Sequence, residues 1–253
     1  MSMFDSSSSL FGLVFVLFFL GLMILFGLVR KKQPKRGFRD ISAFNRLQRA
    51  IGLAVEAGQR VHLTLGHGGI DGPRGAAGLV GLSVIQRVAR AASISDNPPL
   101  ATSGEAALAT LSLDVLQAAH QSVSAGGRID PSSAILTGVT PFSYAAGTLP
   151  VIYDQQVSMN LMLGSFGSEA ALIVDAGEHT GSLIIGGSDD LTAQAVLFAS
   201  AQEPLVGEEL YAAGAYLQVN PMHNASLIAQ DWLRWILIGI ILAGGLAKLA
   251  GIL

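Results

Sequence analysis

The hydrophobic pattern along the chain changes period several times. Leu10 to Val29 is twenty residues without a charge, long enough for a helix across the ~30 Å hydrocarbon core of a bilayer. Trp235 to Leu253 is a second such run, interrupted only by Lys248. Between them, Ile41, Phe44, Leu47, Ile51 and Ala54 recur every three or four residues. That spacing predicts an amphipathic helix, with Gly58 placed to end it. Arg60-Val61-His62-Leu63-Thr64-Leu65 follows as a strand. The glycine-rich turn 66–75 then leads into a helix over 76–92. This helix is apolar nearly all round until Arg87 and Arg90, so it is expected to be buried.

The unit recurs. Leu100-Ala101-Thr102 reads as a short strand after Pro98-Pro99, and Ser103 is placed to cap a helix over 104–124. Two strand–turn–helix units in succession predict a parallel α/β core. In the second half, Val157, Met159, Leu161 and Leu163 alternate with Ser158, Asn160 and Gly164, as in a half-buried strand. Leu172-Ile173-Val174 and Leu183-Ile184-Ile185 are short apolar runs read as two more strands. Residues 175–182 are too few for a parallel crossover, so that pair is expected to be antiparallel. Ser188, Asp189 and Asp190 suit the start of a helix running to Ala201, before Pro204. A last short helix is expected over 207–217. The expected architecture is one α/β, three-layer-like domain with a mixed sheet, residues 40–230. It is flanked by an N-terminal segment (1–9), a membrane helix (10–29), a linker (30–39) and a second membrane helix (232–253).

Charge gives these segments a direction. Met1 to Ser9 carries Asp5 and no base, and no A-x-A site follows the apolar run. It therefore reads as a retained anchor rather than a signal peptide. Arg30, Lys31, Lys32, Lys35, Arg36 and Arg39 follow it directly. Bases beside a membrane helix stay in the cytoplasm, and these are also suited to lipid headgroups. The expectation is a two-pass protein of the cell membrane, with both termini extracytoplasmic and the main domain cytoplasmic. In the second span Trp232 and Trp235 suit the interface, Lys248 can snorkel, and Gly239, Gly244, Gly245 and Gly251 suit close helix packing. The alternative for that segment is a buried core or re-entrant helix.

From Asp40 to Asp231 there are seven Arg, no Lys and seventeen acids. An acidic body argues against nucleic acid. One charge in about eight residues is half the usual density for globular chains, and interface cores are depleted in charge. A homo-oligomer or a subunit of a larger membrane complex is therefore expected, the competing reading being an Ala/Gly-rich bias of the source proteome. The absence of Cys removes disulfides and thiol chemistry.

Candidate chemistry centres on the turn 66–75. Backbone N–H groups of Gly66, Gly68 and Gly69 can face a phosphate near a helix N-terminus, with Asp71 beside them, Arg74 as a bidentate partner and Ser103 at the next strand end. The spacing is G-x-G-x-x-x-G rather than G-x-G-x-x-G, no Gly-Lys-Ser/Thr is present, and Ser103 stands where a ribose-binding acid belongs. The competing readings are a tight turn that lets the helix pack on the sheet and a partner-binding loop. Ser103, His67 and Asp71 hold the functional groups of a hydrolase, but Ser103 lacks the G-x-S-x-G elbow and suits a helix cap. Histidines 62, 67, 120, 179 and 223 show no zinc spacing, and Asp189 and Asp190 suit capping better than Mg²⁺. No metal, cofactor or catalytic residue is assigned.

The phrase Arg49-Ala50-Ile51-Gly52-Leu53-Ala54-Val55-Glu56-Ala57-Gly58-Gln59-Arg60-Val61-His62, followed by the glycine turn, resembles an uncharacterised bacterial and archaeal family. Its members place a domain of unknown function between two transmembrane segments. The resemblance covers most of the chain and implies that architecture, with no activity. The expected function is that of a structural or scaffold subunit of a membrane complex. The alternative is a tethered domain that binds or processes a phosphate-bearing small molecule at the 66–75 turn.

Overall fold

The computed structural model describes residues 3–29, 39–72, 75–92, 95, 97–123 and 128–251. The basic residues Arg30, Lys31, Lys32, Lys35 and Arg36, and Arg74 of the glycine turn, lie outside them. The chain divides into two compact units, one made of the two ends and the other spanning Arg39–Val219.

In the first unit, α1 (Met3–Val29) and α9 (Pro221–Leu249) each contain a stretch long and apolar enough to cross a membrane by length and composition. Asn220 caps α9 through Met222 N, with Pro221 in the first helical position. The helix therefore starts well before Trp232. The two helices meet through Phe26 and Trp232, stacked at 6.3 Å, and where Gly27 faces Met222. A Cβ on Gly239, Gly244 or Gly245 would meet nothing within 4 Å. The small face of α9 is therefore not what packs on α1.

In the second unit, α2 (Ser42–Glu56), β1 (Arg60–Gly66), α3 (Gly75–Ala92), β2 (Leu100–Ser103) and α4 (Ala106–Val123) follow the expected order. Next come β3 (Ala134–Leu136), α5 (Pro141–Asp154), β4 (Val157–Ser165), α6 (Ala170–His179), β5 (Leu183–Ser188), α7 (Leu191–Ser200), β6 (Glu203–Leu205) and α8 (Glu209–Tyr216). The six strands form one sheet in the order β3-β2-β1-β4-β5-β6. Every pairing is parallel.

The sheet is thus not mixed. Leu172-Ile173-Val174 is not a strand but the middle of α6, and the crossover from β4 to β5 is long enough for a parallel return. Ala170, Ile173, Val174 and Gly177 are the inward residues of α6, a helical spacing, while Leu172 is exposed. Three adjacent apolar residues carry no period by themselves. Asp190, not Ser188, caps α7, accepting from Thr192 N and Ala193 N.

Alternation on β1 and β4 sends side chains to two faces, and β4, expected to be half-buried, is covered on both because helices pack on each side of a parallel sheet. Val61, Leu63, Leu65, Met159, Leu161 and Leu163 join α2, α3, α4 and α8 in the larger core. Met162 and Ile184 join Tyr144, Ile152, Ile173, Ala193 and Leu197 of α5, α6 and α7 in the smaller one. Each fully buried Leu or Ile contributes about 1.5–3 kcal/mol by leaving water. Gly81 lets α3 approach closely, since a Cβ there would lie 2.4 Å from Leu163 O. Glu203 ties β6 to α2 with both oxygens, accepting from Arg46 at 2.6 Å and from Ser42 at 2.8 Å.

Candidate functional site

From β1 the chain moves outward through β2 and β3, then returns to start β4 on the other side of β1. The loops leaving β1 and β4 therefore diverge. In open α/β sheets, ligands settle outside the carboxyl ends of the strands at such a point.

Gly66 ends β1 with φ of +76°, and a Cβ there would sit 2.0 Å from Ser165 O. Only glycine suits both conditions. His67 N donates to Ser165 O at 2.9 Å, and Gly104 N donates to Gly66 O at 2.8 Å. The ends of β2, β1 and β4 are thus stitched together beyond the sheet. At Gly75 a Cβ would lie 2.0 Å from Ile70 O. At both ends of the turn the space glycine leaves is filled by the chain's own backbone.

Above this floor, His67 Nε2 lies 3.0 Å from Glu169 Oε1. Glu169 is buried, and the same oxygen accepts from Gly167 N at 2.7 Å. His67 remains partly exposed. A buried carboxylate holding one imidazole nitrogen leaves the other for a ligand or a proton, the geometry of an oriented base. Among the described contacts no hydroxyl bonds to it; Ser165 Oγ, at the end of β4, is buried and without a hydrogen-bond partner. Ser103 Oγ accepts from Glu105 N at 3.0 Å and Glu105 accepts from Leu108 N, so both cap α4. Ser143 accepts from Thr140 N at 3.0 Å in the cap of α5. Ser188 accepts from Phe166 N at 3.1 Å.

Beneath the floor runs a buried polar line. His62 Nδ1 pairs with Asn160 Oδ1, and Nε2 lies 2.9 Å from Thr102 Oγ1. Thr102 and Thr64 hydroxyls are 2.9 Å apart, and Thr64 pairs with the Tyr144 hydroxyl. That hydroxyl accepts from Gly66 N at 3.2 Å. Burial lowers the His62 pKa to about 4, against the opposing bond to Asn160. Burial pushes the Tyr144 phenol up, its bond to Thr64 opposing. The line is therefore neutral at pH 7, and it fixes the amide that opens the turn.

Over residues 1–252 the sequence matches a family described as a domain of unknown function, DUF6754. The chain belongs to this family. No curated protein and no solved structure matches it.

In this DUF6754 chain the expected site residues are only partly gathered. Gly66 and Ser103 lie at neighbouring strand ends, joined by the bond from Gly104 N to Gly66 O, while Gly68 and Gly69 are half-buried in the turn. Asp71 is exposed, and the carboxylate on His67 is Glu169 instead. Among the described residues no group of three His, Cys, Asp or Glu is placed to hold a metal. Sequence reasoning missed Glu169 and Tyr144. The signal for Glu169 is its place just after β4, which becomes legible once β4 is paired parallel to β1.

Proposed function

We propose that this chain is a structural subunit of a membrane assembly, anchored by α1 and α9, whose α/β domain self-associates or docks on a larger complex. The observation that carries this reading is α7. It holds no charged residue, buries Ala193 and Leu197, and still leaves Leu191 81% and Phe198 70% exposed. A surface helix usually sets charged or polar residues opposite its buried face, and α7 sets Leu191 and Phe198 there instead. Ser103, Glu105, Ser143 and Asp190 at the sheet's carboxyl edge support the same reading, since each is engaged in a helix cap. In this proposal the bases after Val29 lie on the cytoplasmic side, meeting anionic headgroups, with both termini across the cell membrane. Native mass measurement in mild detergent tests it. An assembly of two or more copies, or one with partner subunits, is expected, and a clean monomer at micromolar concentration refutes it.

A second reading is favoured by the His67–Glu169 pair at the divergence of β1 and β4. In it the domain binds a phosphate-bearing small molecule at the 66–75 turn. A thermal-shift screen of nucleotides on the full chain tests it. Hits that His67→Ala and Arg74→Ala leave unchanged refute the site.

A further inference from the structure

Building on the self-association reading, we propose that α7 is a two-fold contact between copies of this chain, crossing at Ala195. Leu191, Ala195 and Phe198 are all exposed and stand four and three residues apart, which puts them on one helix face. Gly207 N donates to Gln194 Oε1 at 3.1 Å, and this brings the loop with half-exposed Val206 against the same helix.

Charge selects what covers this face. Helices that lie in a lipid interface carry Lys and Arg on their polar side. α7 has neither, and it opens with Asp189-Asp190, which anionic headgroups repel. A protein surface is left, and the stripe is complementary to itself. A small residue sits at its centre with a large one a turn away on each side. About a two-fold axis through Ala195, Phe198 of one copy packs on Leu191 of the other, and the reverse. Stable dimers in solution bury roughly 800 Å² per partner, more than one short stripe supplies. Anchors at both ends confine copies to one bilayer and raise their effective concentration, so this small contact suffices there.

The chain contains no Cys, so a single introduced thiol reports proximity in the full-length protein in its native membrane. Ala195→Cys is expected to give a disulfide-linked dimer on mild oxidation. Val139→Cys, 72% exposed beyond the opposite edge strand, is expected to give none. Phe198→Glu or Leu191→Glu, both at exposed positions that the fold does not need, is expected to abolish the Ala195→Cys cross-link. An assembly that persists in detergent although Ala195→Cys alone gives no 195–195 link refutes the α7 contact while leaving the self-association reading intact. Cross-linking only in the Ala195→Cys/Val139→Cys double variant refutes the two-fold form in favour of head-to-tail packing. A wild-type chain that is monomeric in the membrane refutes both the contact and the reading beneath it.

Discussion

Acid should loosen the α/β domain through one residue, His62. Its imidazole is wholly buried between β2 and β4 on β1, with only Asn160 and Thr102 for partners. The folded-state pKa is about 4, against about 6.5 in an unfolded chain. Between these values the unfolded state holds the extra proton, so stability rises with pH across that window and is flat above it. Falling from pH 7 to 4.5 should cost about 2.5 kcal/mol, approaching about 3 kcal/mol below pH 4. The assay is urea denaturation of the full-length chain in detergent, read by pulse proteolysis at half-unit steps of pH. Comparison with His62→Gln isolates the effect, because glutamine can serve both neighbours without titrating. The wild-type minus variant difference should grow between pH 6.5 and 4.5 with a slope near about 1.4 kcal/mol per unit. Parallel pH profiles for the two proteins would refute the reasoning, since His62 would then not be held neutral by its burial.

Further outcomes follow from particular positions. Gly66→Ala should lower stability by more than about 2 kcal/mol, from its left-handed φ and the Ser165 carbonyl. Gly72→Ala, with open space around it, should be nearly neutral in the same denaturation assay. Gln156 and Gln218 adopt φ of +50° and +55° at helix ends, where Gly58 and Gly181 do the same work after α2 and α6. Gln156→Gly and Gln218→Gly should each raise stability by up to about 1 kcal/mol, seen as a higher urea midpoint. Glu203→Ala should cost about 1–3 kcal/mol, because Arg46 and Ser42 both lose their acceptor, and amide exchange should quicken first in β6 and α2.

Much of the fold is legible because its helices and strands have distinct periods. Phe44, Leu47, Ile51 and Ala54 mark α2 correctly, and Val157, Met159 and Leu161 mark β4. In α6 three adjacent apolar residues hide the helical period, which shows only when the spacing is extended to Ala170 and Gly177. β3 and α5 left no reading at all. Both Gly147 and Pro150 stand inside α5, where intrinsic preference disfavours them. Tertiary contact explains the glycine, since a Cβ on Gly147 would lie 2.2 Å from Thr137 O. The site was half legible for a related reason. The glycine turn announces itself in sequence, but its partner loop at Glu169 is about a hundred residues away and is brought close only by the parallel pairing of β1 with β4.

The two edge strands, β3 and β6, are each only three residues long. A strand that short offers too little free backbone to template a continuous ladder between molecules. In the proposed assembly the domain can therefore meet its copies through side chains while the sheet stays closed to growth.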